Sequence, residues 1–162
     1  MCIRDSLGTG SGCIAIELSK KLPTAGITAI DISIKAIELA KKNNFQTKNP
    51  VKFFTSNWFT DVNEKFDLII SNPPYISKDS NLDESLKFEP QIALYSKNNG
   101  LADLSKIITD SREYLHENGV LMLEHGIGQE DYLRQKMIKE GFKKIELIKD
   151  LKDINRFIIG HG

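Results

Sequence analysis

The tetrapeptide Asn72-Pro73-Pro74-Tyr75 carries the most specific chemistry in the chain. Proline has no N–H, so the pair leaves carbonyl acceptors without adjacent backbone donors, on a backbone with little freedom. The Asn72 side-chain oxygen adds a further acceptor and Tyr75 a flat ring. Such a set suits a planar NH₂ group: two acceptors take its two N–H bonds while the nitrogen faces a third reactant. Asn-Pro also opens ordinary turns, so the setting matters. Here the tetrapeptide follows an apolar strand, Phe66 to Ile70, and sits at that strand's carboxyl end.

A second set is Gly8-Thr9-Gly10-Ser11-Gly12, just before a helical pattern. Glycines there let the backbone turn freely and approach a ligand closely, and the N–H groups of a helix start suit a carboxylate or phosphate. Asp31 lies nineteen residues beyond Gly12, at the end of the next strand. Its two oxygens can accept from both hydroxyls of a ribose. Trp58, the single tryptophan, follows a third strand, where an indole can lie against a purine or pack as core. Cys13 stands where the dinucleotide fingerprint wants glycine, which disfavours a nicotinamide cofactor, and no Gly-Lys-Ser/Thr follows to make a Walker loop.

The elements that must hold these residues are short apolar runs alternating with helical patterns, as in strands buried on both faces by crossover helices. A helix is expected over 11–21, a strand over 27–30, and a helix capped by Ser33 with Ile34, Ile37 and Ala40 on one face. Strands follow over 51–56 and 66–71. From Ile76 to Gly100 the chain is polar and aperiodic, and long loops of that kind are usually functional. A helix from Leu101 to Leu115, closed by Asn118-Gly119, leads to a strand over 120–124. After a helix over 129–140 come two strands, 142–148 and 156–159. Their short connection makes that pair antiparallel. The expected fold is α/β, a mostly parallel seven-stranded sheet ending in an antiparallel hairpin, with helices on both faces.

One domain accounts for 162 residues. Lys and Arg total 22 and so do Asp and Glu, which argues against a protein that holds nucleic acid by phosphate neutralisation alone. The Lys-rich segment 136–152 is interleaved with acids and reads as a solvated face. Two cysteines and three histidines make neither a disulfide framework nor a metal set, so the metal expectation is none and the compartment a reducing cytoplasm. No apolar run is long enough for a bilayer.

The combination Leu7 to Gly12, Asp31, Ser56-Asn57-Trp58-Phe59 and Asn72 to Tyr75 resembles the class I, Rossmann-like S-adenosylmethionine-dependent methyltransferases that act on planar nitrogens. More narrowly it resembles the HemK-type release factor glutamine N5-methyltransferases, through Phe88-Glu89-Pro90, Leu123-Glu124-His125-Gly126 with Gln129, and Asp150 with Arg156. The resemblance implies S-adenosyl-L-methionine (S-adenosylmethionine) as cofactor, with Gly8, Thr9, Gly10, Ser11 and Gly12 at its methionine part, Asp31 at the ribose, Trp58 at the adenine and Asn72 near donor and acceptor. It implies a peptide chain release factor as protein partner, the glutamine of its Gly-Gly-Gln motif as acceptor, and Asn72, Pro73, Pro74 and Tyr75 as catalytic and substrate-binding residues, with Tyr75 packing on the amide plane. The alternatives are an amino-group methyltransferase acting on adenine or guanine in nucleic acid, and an inactive donor-binding fragment.

Three positions depart from the family pattern: Ser6 and Asn57 stand where acids are usual, and Asn155 stands where an acid often sits beside the terminal arginine. Arg4 and Asp5 fall where a central strand wants apolar residues, so the first strand is expected to be short or atypical. The family's helical N-terminal domain has no counterpart in these residues. The chain is therefore expected to be the catalytic half of a longer protein with a foreign start. His125 is read as structural or incidental, and Glu89 either as shaping the substrate loop or as a solvated loop carboxylate.

Overall fold

The computed structural model describes residues 2–45, 49–79, 88 and 90–162. Seven strands, β1 (Cys2–Leu7), β2 (Gly26–Asp31), β3 (Lys52–Thr55), β4 (Phe66–Ser71), β5 (Leu115–Glu124), β6 (Lys144–Lys149) and β7 (Asn155–His161), form one sheet in the order β3-β2-β1-β4-β5-β7-β6. The pairs β1–β2, β2–β3, β1–β4 and β4–β5 are parallel; β5–β7 and β6–β7 are antiparallel. The expected sheet and its closing hairpin are both present.

The first crossovers are α1 (Cys13–Lys21) and α2 (Ile34–Asn43). Gly12 caps α1 at a left-handed φ of 82°, and the helix starts at Cys13, two residues later than expected. Ser33 caps α2 by accepting from the Ala36 N–H at 3.3 Å. Both helices carry lysines in their last turn, which suits the negative end of the helix dipole. Ile37 and Ala40 are buried as expected, whereas Ile34 at the open first turn of α2 is 65% exposed.

Two four-residue turns, α3 (Gln91–Leu94) and α4 (Lys97–Gly100), precede α5 (Ala102–Tyr114), and α6 (Glu130–Lys139) completes the set. Ile27 and Ala29 of β2 pack with Ala15 and Ile16 of α1 and with Ile37 and Ala40 of α2. Ile30, on the opposite face, joins Leu104, Ile107 and Ile108 of α5 and Leu133 and Met137 of α6. The alternation along β2 thus gives a helical layer to each face. Burying each of these larger aliphatic side chains stabilises the fold by about 1.5–3 kcal/mol.

β5 departs from expectation, whereas β1 is atypical as expected. β5 starts at Leu115 rather than Val120: α5 ends directly into Leu115, which is buried and pairs with Phe66, and the register shifts before Val120 pairs with Leu68. β1 is six residues long and irregular, with a register shift between Arg4 and Leu7 against both neighbours.

The carboxyl ends of β1 and β4 are joined by a side chain. Ser71, buried, donates its hydroxyl to the Leu7 carbonyl at 2.6 Å. Ser71→Ala takes this donor from a buried carbonyl, and stability to chemical denaturation is expected to fall by about 1–3 kcal/mol. A change below about 0.5 kcal/mol, the range of ordinary surface substitutions, would show that the bond does not hold the strand ends.

Candidate functional site

Winding runs outward from β1 in one direction and from β4 in the other, so the two strand ends form the crevice where open α/β sheets bind ligands. The chain leaves β1 through Gly8, Gly10 and Gly12, all at positive φ (77°, 55° and 82°). The Gly8 and Thr9 N–H groups both donate to the Ile30 carbonyl, at 3.0 and 2.8 Å, which folds the loop back over the end of β2. A Cβ on Gly12 would lie 3.0 Å from the Ala40 methyl, so α1 and α2 approach closely there.

Asp31 links this loop to the next. Its Oδ2 accepts the Gly10 N–H at 2.9 Å and its Oδ1 accepts the Ser33 N–H at 2.8 Å. Each oxygen is thus already used once, and each keeps a further lone pair for a ligand hydroxyl. The Asp31 carbonyl takes the Ser56 N–H at 3.0 Å. Buried Ser56 then shapes the third loop: its hydroxyl donates to the Trp58 carbonyl at 2.9 Å and accepts the Asp61 N–H at 3.2 Å. This holds Trp58 at φ 51°, uncommon for a bulky residue, with its ring beside Gly8.

Gly8, Gly10, Asp31, Trp58, Asn72 and Pro74 meet around one cleft of about 260 Å³. Five other expected residues stand outside its lining. Thr9 and Pro73 are buried; the Ser11 carbonyl accepts from the Asn43 amide at 2.9 Å; Gly12 faces Ala40. Tyr75 is the fifth: its half-buried ring packs on the core and its hydroxyl donates to Glu124 Oε1 at 2.9 Å.

Sequence reasoning missed Ile92, Tyr95 and Asp103, which line the cleft from the segment before and at the start of α5. Backbone bonds fasten that segment to the tetrapeptide's exit: Ile76 N–H donates to the Leu94 carbonyl and Ser96 N–H to the Ile76 carbonyl, both at 3.0 Å. Ser96 Oγ accepts the Asp103 N–H at 3.0 Å and donates to its carboxylate at 2.5 Å. Asn57, where an acid was expected, also lines the cleft. Arg156 finds its acid in Asp150, at 3.4 Å, rather than at position 155. His125 is fully buried with Nδ1 2.8 Å from the Gly126 carbonyl, in a structural position. Glu89 lies outside the described residues. Among the described residues no His, Cys, Asp or Glu group could hold a metal, and no helix is long and apolar enough to cross a membrane.

The family described as methyltransferase small domain matches residues 4–88, which include the glycine loop, Asp31, Trp58 and the tetrapeptide. The chain belongs to the methyltransferase small domain family. It is 40% identical over 158 residues to a bifunctional methyltransferase of Rickettsia typhi, covering 94% of this chain and 30% of that protein. It is 39% identical over 159 residues to a release factor glutamine methyltransferase of Aliivibrio fischeri, covering 95% of this chain and 56% of that one. The chain therefore spans about a third to just over half of these curated relatives. A methyltransferase crystal structure from Pyrococcus furiosus superposes with a TM-score of 0.76 at 19% identity, over 98% of this chain and 74% of that one. The fold is that of the class I Rossmann-like methyltransferases.

Burial, and then repulsion from the Glu124 carboxylate, push the Tyr75 phenol from 10.0 up to about 12. The folded state favours the protonated phenol, so this stabilisation is complete below pH 10 and is lost as the pH rises toward 12. Ultraviolet titration is expected to show a late-ionising phenol in the native protein that disappears in Tyr75→Phe. Loss in the variant of a phenol that ionises near 10 instead would contradict the Glu124 contact.

Proposed function

We propose that this methyltransferase transfers a methyl group from S-adenosylmethionine to the side-chain amide nitrogen of the glutamine in the Gly-Gly-Gln motif of peptide chain release factors, in the cytoplasm. The observation that carries the reading is the placement of Asn72 and Pro74, from the proline-paired tetrapeptide, at the edge of a cleft whose other wall is Gly8, Gly10, Asp31 and Trp58. Relatives that bear the release factor name over this same stretch support it.

The cleft fits such a donor. No atom lies within 4 Å of where a Cβ on Gly10 would sit, so a ligand can lie against the backbone there. Asp31 keeps lone pairs for the ribose hydroxyls and Trp58 offers a flat face to the adenine. When bound, S-adenosylmethionine supplies an electrophilic methyl on a sulfonium sulfur.

An amide nitrogen is a poor nucleophile because its lone pair is delocalised into the carbonyl. Asn72 Oδ1 and the Pro73 carbonyl would accept hydrogen bonds from its two N–H groups and turn the lone pair toward the methyl, so that the N–C bond would form as the sulfonium C–S bond breaks, with one amide proton then lost to solvent. The work of the chain is positioning and electrostatics rather than strong-base chemistry. Tyr75 contributes through its place in the tetrapeptide, with its hydroxyl held by Glu124. The balanced charge of the chain weighs against nucleic acid as direct substrate.

Labelled methyl is expected to enter purified release factor and not DNA or RNA; label only in nucleic acid would overturn the reading. Asn72→Ala is expected to lower turnover far more than donor affinity, because its acceptor matters chiefly in the aligned complex; near-normal turnover would remove Asn72 from the mechanism. Asp31→Ala is expected to weaken donor binding by about 1.5–3 kcal/mol, and equal affinities by calorimetry would remove Asp31 from the ribose site.

A further inference from the structure

Two consecutive prolines deprive residues 73 and 74 of backbone donors, so the tetrapeptide cannot be fixed by a hydrogen-bond ladder of its own. It has to be held from outside, through its flanks and carbonyls. The upstream flank is Ser71 on Leu7. Downstream, Glu124 takes the Tyr75 hydroxyl, and one further side chain outside the cleft reaches the backbone.

Gln129 stands at the N-terminal boundary of α6 and is half-buried. Its Nε2 donates to the Tyr75 carbonyl at 3.0 Å and to the Asn99 carbonyl at 3.3 Å, while its Oε1 accepts the Gly126 N–H at 2.8 Å. One amide group therefore ties together the exit of β4, the turn before α5 and the turn after β5. The packing around it leaves no slack. Gly100 has φ +84°, and a Cβ there would collide with the Tyr75 carbonyl and come within 2.8 Å of Gln129 Nε2. A Cβ on Gly126 would lie 3.1 Å from Gln129 Oε1 and 3.3 Å from the Tyr75 ring. Such contacts need bare backbone at both positions.

We propose that Gln129 is a positioning residue for methyl transfer: it clamps the Tyr75 carbonyl and so fixes the direction in which the Asn72 and Pro73 acceptors present the substrate amide. This rests on the reading of the tetrapeptide as the amide-binding element. Gln129 does not line the donor cleft, so its effect falls on turnover and not on donor affinity. The contribution comes from its N–H donors and not from its bulk.

Gln129→Glu separates these, since it keeps the shape and the acceptor for Gly126 but loses both donors and sets a carboxylate against two carbonyls. In the 162-residue chain it is expected to lower kcat on release factor by about 10–100-fold, as small misplacements of reacting groups do. The Kd for S-adenosylmethionine should stay within about threefold, well under the tenfold that 1.4 kcal/mol represents. Hydrogen exchange at the Ile76 amide, which bonds Leu94, is expected to speed up. Gln129→Met, of similar length and uncharged, is the second variant if the glutamate form does not fold, with the same results expected. Unchanged kcat with unchanged exchange, or a loss that follows donor affinity, overturns the clamp. Should the native chain leave release factor unmethylated, the functional reading fails by itself. The exchange rate then decides: faster exchange at Ile76 with intact donor binding upholds the clamp, and an unchanged rate overturns it.

Discussion

A hydroxyl on a carbonyl, Ser71 on Leu7 at 2.6 Å, spans the one place in the sheet where the direction of winding reverses. Everything that could act on a ligand is arranged around that bond. On one side the chain leaves β1 as a glycine loop; on the other it leaves β4 as Asn72-Pro73-Pro74-Tyr75. Because β1 and β4 are parallel neighbours with Leu7 opposite Ser71, the two segments emerge at the same rim. Adjacent strands thus fix the separation of the two segments.

The loops are then bound to one another by groups that face away from solvent or serve two purposes. Asp31 spends one lone pair on Gly10 and one on Ser33, so its carboxylate is already oriented before any ligand arrives. Ser56 does the same for Trp58. The tetrapeptide is the exception: its prolines supply acceptors and no donors, so its order is imposed by Ser71, Glu124, Gln129 and the short bonds between Ile76 and the α3 segment.

Much of this was legible in the sequence because it follows from local rules. Alternating apolar runs and helical patterns give the parallel sheet, and the few residues between the last two strands force their antiparallel pairing. Glycines before a helix, an acid at the end of the next strand and two prolines after an apolar strand mark the rim without reference to distant contacts. What stayed hidden depends on contacts made across the fold. Ile92, Tyr95 and Asp103 reach the cleft from a stretch with no periodicity, drawn in by the bridge between Ile76 and Tyr95. Arg156 takes its acid from Asp150, six residues earlier, because the turn between β6 and β7 folds Asp150 back on itself. The Tyr75 ring turns inward because Glu124, on a neighbouring strand, accepts its hydroxyl. The early start of β5 at Leu115 reflects burial of that side chain, which outweighs the turn signal of Asn118-Gly119.

The proposed function requires that one rim place the methyl donor and the planar nitrogen acceptor against each other. A crystal structure of the chain with S-adenosylhomocysteine and a peptide carrying Gly-Gly-Gln tests it most directly. The ribose is expected on Asp31, the adenine on Trp58, and the sulfur facing a glutamine amide whose nitrogen is held by Asn72 and the Pro73 carbonyl. A nucleoside bound away from Asp31, or a sulfur turned away from Asn72, would contradict the account.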